Sequence, residues 1–477
     1  MDSVPLAPER RHIGVATVFA ALVLLAFVGV MVWLHHGASR VEEVAEPERA
    51  LAAVVGRTLD LDDGLARAPA WERRLYALLV GSRAEDLAQA IVWYDELEAL
   101  SPDPGVDLCL AILEGEAGRL DRLRRRVRAW ELRERSLPAL AGLVRAAYLD
   151  GAADPGPAAR PMLNAALGPG WFRDRLVLAL AARADDGALA AAAGAELAER
   201  GRRLLWRLRA FALAQAAIFA AGVVALARLV RRRGARARPG SAALPPPWSG
   251  RDGAVVLIRG GAVGAVLMTA FFLVPADGAG RSAVRVALAT AANLAFVPVL
   301  LMARRRLQRP AGVGLAAGFG LAPSRRDLGT LAAVLFAVLA LGQAGGWGID
   351  FTARALGLSS HWTEWFEADL AWGGRLVVGV TLLDVVALTP VLEELLFRGL
   401  LFATLRRGLG VPAAAVASAA VFAVAHGYGT LGFASVFWSA CLWAWAYEKT
   451  GSLWPCIGAH AVDNLGASLS VLLVLRG

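Results

Sequence analysis

The chain has 477 residues, of which 57% are hydrophobic and 19% charged, and its mean hydropathy is +0.52. This composition is typical of a polytopic membrane protein and excludes an ordinary soluble enzyme. A net charge of +9 would suit a nucleic-acid binder, but the arginines lie beside apolar segments, as membrane topology requires. We therefore expect an all-α membrane protein that binds no nucleic acid. The three cysteines provide neither a disulfide framework nor a cysteine-rich metal site.

The first apolar segment, residues 13–34, is long enough to cross a bilayer. Arg10 and Arg11 precede it, as in a signal peptide, but its apolar core is too long for one and no small-residue cleavage site follows. We therefore predict that residues 1–37 are an uncleaved transmembrane anchor whose amino terminus is cytoplasmic.

Residues 38–203 hold no segment long enough to span a membrane. Leucine and alanine recur there at helical spacing, and the breaks at 101–104 and 154–157 are rich in proline and aspartate. We predict an inserted helical domain outside the cytoplasm, and we expect it to bind a protein partner.

A second span, residues 210–230, ends in a cluster of five arginines that marks a cytoplasmic edge: Arg231, Arg232, Arg233, Arg236 and Arg238. We assign this helix and its basic edge to residues 204–238. Residues 239–253 are rich in proline, glycine and serine, and they predict a linker and a domain boundary.

Residues 254–477 are predicted to form a membrane domain. Seven further spans are expected, at residues 260–275, 284–303, 328–345, 376–392, 412–426, 431–447 and 453–475. Basic clusters lie on alternate connections, at 304–309, 325–326, 406–407 and Lys449. Together these features predict about nine spans, a carboxyl terminus outside, and residence in a bacterial-type plasma membrane. The connection at 346–374 is rich in tryptophan and is expected to lie in the membrane interface.

One apolar stretch, residues 388–400, carries charges and reads L-T-P-V-L-E-E-L-L-F-R-G-L. Charges at membrane depth are costly and usually functional. Glu394 and Arg398 are an i,i+4 pair on one helix face and can neutralise each other, which leaves Glu393 free for chemistry. Pro390 interrupts the helical hydrogen bonds beside the acidic pair. The alternative is that the charged pair only locks helix packing.

Two later spans also carry polar residues. His426 ends the run F-A-V-A-H, and the run H-A-V-D-N places His460 and Asn464 on one helix face. A single histidine or asparagine in a membrane helix is commonly a packing residue. Because three apolar helices each carry polar residues at membrane depth, we expect these residues to form one shared site.

These residues resemble the three ordered motifs of the CPBP intramembrane proteases, which include type II CAAX prenyl endopeptidases and bacteriocin-processing or immunity proteins. The matching motifs are Glu393-Glu394-x-x-x-Arg398, Phe422-x-x-x-His426 and His460-x-x-x-Asn464. The resemblance covers residues 255–475 and does not extend to residues 1–253. It implies an intramembrane protease domain in which these six charged or polar residues form the site, and a metalloprotease classification.

Peptide hydrolysis needs an activated water and a group that stabilises the oxyanion. In one arrangement, Glu393 and His426 polarise the water, while His460 and Asn464 donate to the oxyanion. In the other, Zn²⁺ is bound by Glu393, His426 and His460 with one position open for water. The sequence does not decide between these two arrangements. Neither Cys441 nor Cys456 lies in a nucleophile motif, so covalent catalysis is not expected.

The predicted function is therefore an intramembrane endopeptidase that acts on a membrane-associated protein or peptide. Two other classes are kept as alternatives. One is a binding or immunity protein that has the motifs without turnover. The other is a proton-coupled transporter, in which Asp384 and the two glutamates would relay protons, although no internal repeat supports it.

Overall fold

The computed structural model describes residues 14–37, 40–42, 44–132, 137–149, 163, 166–231, 239–274, 282–322 and 328–476. Within these ranges the chain is helical and has no strand, as an all-α polytopic membrane protein requires. Arg10 and Arg11, the predicted break at 154–157, and the arginines at 232–238 and 325–326 lie outside the described residues.

Seven described helices are long and apolar enough to cross a membrane: Val15–Trp33, Gly187–Arg231, Gly250–Phe271, Val284–Gln308, Leu328–Ala355, Arg375–Leu405 and Trp454–Leu475. Each contains most of a predicted span. The two remaining predicted spans are also helices, at Val411–Ala425 and Thr430–Thr450. The first has only 15 residues, fewer than the roughly 20 that a straight span needs. The second has 21 residues but is not among the helices apolar enough to qualify. Nine spans therefore stays a prediction.

The chain divides into two compact units. The first comprises Met1–Ala38, Ile218–Leu358 and Gly373–Gly466, with gaps where residues are not described. Its core is built from large apolar side chains of several helices and loops, including Phe319, Phe397, Phe422, Trp443 and Tyr447. Two of its candidate spans, Val284–Gln308 and Arg375–Leu405, contain short non-α turns. The segment Ser282–Ala292 continues through a 3₁₀ turn at Asn293–Phe296 into Val297–Ala303, then a π-helical turn at Arg304–Gln308.

The proline-rich residues 239–253 are packed, not a free connection. Ala242, Leu244 and Trp248 are buried in the core of the first unit. The Ala242 amide donates to the Gly451 carbonyl oxygen at 3.0 Å, and a Cβ on Gly240 would lie 2.1 Å from that oxygen, so only glycine fits there. The compositional signal thus marks an irregular but anchored segment, and the predicted boundary stays a prediction.

The second unit comprises Ser39–Ala217, Ser359–Trp372 and Ala467–Gly477, again with gaps. Its described helices are Pro47–Leu65, Ala70–Leu79, Arg83–Leu100, Pro104–Glu116, Leu120–Glu131, Leu137–Val144 with a π-helical turn at Arg145–Leu149, Trp171–Arg183, the first part of Gly187–Arg231, Ala368–Trp372 and the last part of Trp454–Leu475. Local signals define their ends. Ser82 and Glu85 form a reciprocal capping box, and Asp103 caps the helix that follows it through the Gly105 amide at 2.8 Å.

Two helices of the second unit cross at a pair of glycines. A Cβ on Gly64 would lie 2.5 Å from the Gly201 carbonyl oxygen, and a Cβ on Gly201 would lie 2.5 Å from the Asp60 carbonyl oxygen. The absence of side chains lets the backbones of Pro47–Leu65 and Gly187–Arg231 touch. The crossing brings Asp60 of one helix against Arg200 of the other, with Arg200 Nε 3.1 Å from Asp60 Oδ1.

Candidate active site

The acidic motif lies in the middle of the helix Arg375–Leu405, which we call the motif helix. Glu394 and Arg398 are buried there, with 0% and 1% of their side chains exposed. Arg398 Nη1 donates to Glu394 Oε1 at 2.7 Å, as the i,i+4 spacing predicts. The Arg398 guanidinium also lies over two aromatic rings, 4.3 Å from the centroid of Phe422 and 4.8 Å from that of Trp443. The arginine is therefore held by one carboxylate and two π faces.

Two π-helical turns flank the acidic pair within the motif helix, at Asp384–Leu388 and Phe397–Phe402. In the first turn the Thr389 amide donates to the Asp384 carbonyl, five residues back. The next residue, Pro390, has no N–H to continue this pattern, so the carbonyl five residues before it, that of Val385, lacks a donor from its own helix. Asn464 Nδ2 donates to that oxygen at 2.7 Å. The break predicted at Pro390 thus becomes an attachment point for the helix that carries Asn464.

His460 contacts both glutamates. It lies on the helix Trp454–Leu475, which we call the histidine helix, and only 3% of its side chain is exposed. Its Nδ1 is 3.0 Å from Glu394 Oε1, and its Nε2 is 3.6 Å from Glu393 Oε2. Because the Glu394 carboxylate accepts hydrogen bonds, the contact places a proton on Nδ1. Arg398, Glu394, His460 and Glu393 therefore form one continuous chain of polar contacts.

Aromatic rings surround this chain. The Trp443 ring stacks on His460, with the ring centroids 4.4 Å apart and the planes 19° from parallel. The Phe422 ring meets His460 edge-on at 5.9 Å and packs against Trp443 at 6.0 Å. These contacts hold the imidazole in one plane and exclude water from Arg398 and Glu394.

His426 lies next to this chain but is not hydrogen-bonded to it. Its Nδ1 is 2.7 Å from the Phe422 carbonyl oxygen, and its ring packs on Phe422 with centroids 4.5 Å apart. A carbonyl only accepts, so Nδ1 carries the proton and the neutral ring keeps a lone pair on Nε2. Among the described residues, Glu393 and His426 share no direct hydrogen bond, and the water that the sequence assigns to this pair stays a prediction.

Sequence reasoning missed two contributors to this region. Trp443 lies in a tryptophan-rich span where no spacing distinguishes it from a packing residue, so no signal in the sequence pointed to it. Asp384 was considered only as a proton relay of a transporter. In the structure, its Oδ1 accepts from Asn293 Nδ2 at 2.7 Å and from Thr389 Oγ1 at 3.4 Å. The signals available in the sequence were an aspartate inside the predicted span 376–392 and an asparagine inside the predicted span 284–303.

The zinc arrangement predicted for Glu393, His426 and His460 agrees with the structure in donor chemistry but not in position. The chemistry of the donors suits zinc, because each histidine has its Nδ1 held by a carbonyl or carboxylate oxygen, as in many zinc sites. The positions of these donors do not suit zinc. Within the described ranges, no group of three or more His, Cys, Asp and Glu side chains is arranged to hold a metal ion. These residues, as placed, do not form a three-ligand zinc site, and zinc binding stays a prediction.

A family model matches part of the predicted membrane domain. Residues 375–466 match the family model described as Type II CAAX prenyl endopeptidase Rce1-like. No curated protein and no solved structure matches the chain. The matched segment begins with the motif helix and ends in the histidine helix, and it contains all six candidate site residues. Residues 375–466 of this integral membrane protein thus match an Rce1-like domain of the type II CAAX prenyl endopeptidase kind.

Proposed function

We propose that the protein is an intramembrane endopeptidase that hydrolyses a peptide bond of a membrane-associated protein or peptide. The observation that carries the proposal is the contact chain of Glu393, His460, Glu394 and Arg398 on two candidate membrane-spanning helices inside the Rce1-like domain. Four ionisable groups at membrane depth cost several kcal/mol each on most scales. A purely structural role needs only the Glu394–Arg398 pair and leaves Glu393 unexplained.

In this proposal Glu393 is the general base. Its Oε2 is buried and has no hydrogen-bond partner within the described part of the chain. That oxygen lies 3.6 Å from His460 Nε2, which is longer than a direct hydrogen bond. A water molecule bound at Glu393 Oε2 would therefore meet an acceptor that no protein donor already occupies. Glu393 would take the proton of this water as the water attacks the peptide carbonyl carbon.

His426 would orient the same water. Its Nδ1 proton is committed to the Phe422 carbonyl, so its Nε2 accepts a hydrogen bond and does not donate one. For His426 and Glu393 to hold one water, their side chains must approach each other when substrate binds. Such tightening is common, because catalytic hydrogen bonds are often long until the substrate is bound.

Asn464 and His460 would donate to the oxyanion. One of the two Asn464 amide hydrogens is used by the Val385 carbonyl, which fixes the side chain and leaves the second hydrogen to donate. His460 has its Nδ1 proton held by Glu394, so it donates through Nε2 when the ring carries both protons. Preorganised donors of this kind contribute most where water is excluded, as the Phe422 and Trp443 rings ensure here.

A covalent route has no support from the cysteines. Cys456 is buried, and its Sγ donates to the Trp443 carbonyl oxygen at 3.1 Å.

We propose in addition that residues 38–203 lie outside the cytoplasm of a bacterial-type cell, where the helical domain would bind a protein substrate or partner.

Terminal-peptide mass spectrometry on membranes tests the proposal. Membranes containing the wild-type chain, the Glu393→Gln variant or neither are compared at equal protein abundance. We expect new protein termini with the wild-type chain alone, and these would identify both the substrate and the cleaved bond. Identical termini in all three samples, across growth conditions that express the protein, would favour the non-proteolytic binding or immunity role. Equal cleavage by Glu393→Gln would refute the base assignment.

A further inference from the structure

A cavity of about 210 Å³ lies in the second unit, and none of its lining residues belongs to the candidate active site. Four arginine side chains line it, together with two apolar residues: Arg57, Arg200, Arg203, Arg207, Leu204 and Val474. One water needs roughly 10–15 Å³ of such space, so the cavity has room for a polyatomic group. The glycine crossing of Gly64 and Gly201 produces this convergence, because it brings the arginine-bearing face of one helix against the helix that carries Arg57.

The carboxylates near the cavity do not balance these arginines. Asp60 contacts both Arg57, at 3.7 Å, and Arg200, at 3.1 Å. Asp174 accepts from Arg200 Nη1 at 2.6 Å but is shared with Arg173, which does not line the cavity.

The other two arginines have weaker partners. Arg203 lies 3.7 Å from Glu199, which also forms a closer ion pair with Arg202 at 2.7 Å. Arg207 Nη1 donates to the Arg476 carbonyl oxygen, a neutral acceptor, at 2.7 Å. The cavity wall therefore carries more positive than negative charge.

Two further observations favour an anion as the ligand of this cavity. Arg200 Nη2 is buried and has no hydrogen-bond partner in the described part of the chain, which is a costly state for a charged donor. The pKa of Arg57 is lowered, chiefly by burial and further by the charges of Arg200, Arg207 and Arg203. A negatively charged group in the cavity would accept a hydrogen bond from Arg200 Nη2. It would also offset the positive charges that lower the pKa of Arg57.

The level of the cavity along its helices indicates the source of the anion. Arg200, Arg203 and Arg207 directly precede the predicted span at 210–230 in the helix Gly187–Arg231, and Val474 is in the last turn of the span Trp454–Leu475. The cavity thus lies just before the predicted span at 210–230 and at the end of the span Trp454–Leu475, a position that suits contact with lipid headgroups. Basic pockets between membrane helices can bind such groups.

We propose that this arginine cavity binds a phosphate group, presented by an anionic phospholipid or by a soluble phosphate. Guanidinium groups bind phosphate through paired, charge-assisted hydrogen bonds. This site is independent of the proposed proteolysis, and binding of a lipid phosphate there would give the helical unit a contact with the membrane surface.

Binding to the full-length protein tests the proposal. The chain is purified in a neutral detergent without phosphate and titrated separately with dihexanoyl phosphatidylglycerol, dihexanoyl phosphatidylcholine and inorganic phosphate, with calorimetry as the readout. Arg203→Gln and Arg207→Gln are compared with Arg202→Gln. Arg202 is the matched control, because it also contacts Glu199 but does not line the cavity.

We expect saturable binding of phosphatidylglycerol that is about tenfold weaker in Arg203→Gln and in Arg207→Gln, the scale of one lost charge-assisted hydrogen bond. Arg202→Gln should bind like the wild type. Binding of inorganic phosphate as tight as that of the lipid, with the same loss in both variants, would identify a soluble phosphate as the source.

The proposal is overturned if neither anion binds saturably, if phosphatidylcholine binds as tightly as phosphatidylglycerol, or if Arg202→Gln weakens binding as much as Arg203→Gln. Arg203 decides the question if Arg207→Gln fails to fold. More than half of the Arg203 side chain is exposed and its ion pair is long, so its replacement leaves the fold intact.

Discussion

Replacement of Glu394 by glutamine should destabilise the protein more than any other change at the candidate site. Glutamine keeps the shape and one acceptor oxygen, so the loss is the negative charge opposite Arg398. Arg398 Nε and Nη2 have no hydrogen-bond partner in the described ranges, so only the Phe422 and Trp443 rings would still face that charge. Breaking one side of a buried ion pair costs about 3–5 kcal/mol. For a domain of this size, that corresponds to a fall in melting temperature on the order of 10 °C.

Replacement of Glu393 by glutamine should have the opposite profile. Glu393 makes no ion pair with Arg398 and touches His460 only at 3.6 Å, so the variant should fold and melt like the wild type. Loss of the general base should lower turnover by about two to four orders of magnitude.

The assay is a pair of measurements in detergent, the melting temperature and the rate of cleavage of a substrate found by terminal-peptide mass spectrometry. Glu448→Gln is a matched control for Glu394→Gln. Glu448 is a buried glutamate paired with Arg406 at 3.0 Å, outside the contact chain of the site. The Glu448→Gln variant should lower the melting temperature, while the protein that remains folded keeps its turnover.

Two results would refute this reasoning. If Glu393→Gln unfolds the protein while Glu394→Gln stays folded and inactive, the roles of the two glutamates are reversed. If both variants stay folded and fully active, the protease assignment itself is wrong.

Three other predictions follow from separate features. If residues 38–203 are outside the cytoplasm, a single cysteine at Ser101 should react with an impermeant reagent in intact cells; labelling only after permeabilisation would overturn that topology. If zinc is bound, purified protein should hold about one equivalent and lose it on His426→Ala or His460→Ala, whereas full activity without metal would leave only the water mechanism of Glu393. Burial, and next the charge of Asp86, raises the pKa of Asp62 to about 7. The folded state thus binds this proton more tightly than the unfolded chain, whose Asp pKa is about 3.9, and stability should fall as pH rises from about 4 to 7. Hydrogen exchange of the helix Pro47–Leu65, corrected for its intrinsic rate, should show this fall. Asp62→Asn should reduce it, and an unchanged pH dependence in that variant would contradict the assignment.

Features within one helix were predictable from the sequence. The Glu394–Arg398 pair and the interruption at Pro390 follow from helical periodicity and from the missing N–H of proline, and both occur in the structure. The all-helical class follows in the same way from long apolar segments and basic clusters.

Features that depend on the rotation of one helix against another were not predictable. Periodicity shows that His460 and Asn464 share a face but not which glutamate that face meets, because side-chain packing sets the rotation. The structure places His460 on both glutamates and Asn464 on the Val385 carbonyl. The packing of residues 239–253 against the core was not predictable either. Proline and glycine indicate irregular backbone, but they do so equally in a free linker and in a packed loop.

The two π-helical turns of the motif helix have a consequence for changes in chain length. A π turn is in effect one inserted residue, and one residue rotates everything beyond it by about 100°. Deleting one residue from Asp384–Leu388 would restore regular α-helix and turn both glutamates away from His460, although no site residue had changed identity. Related sequences should therefore tolerate substitutions among the apolar positions of this segment far better than a single insertion or deletion. In this helix, the number of residues is itself a constraint on the contacts between His460 and the two glutamates.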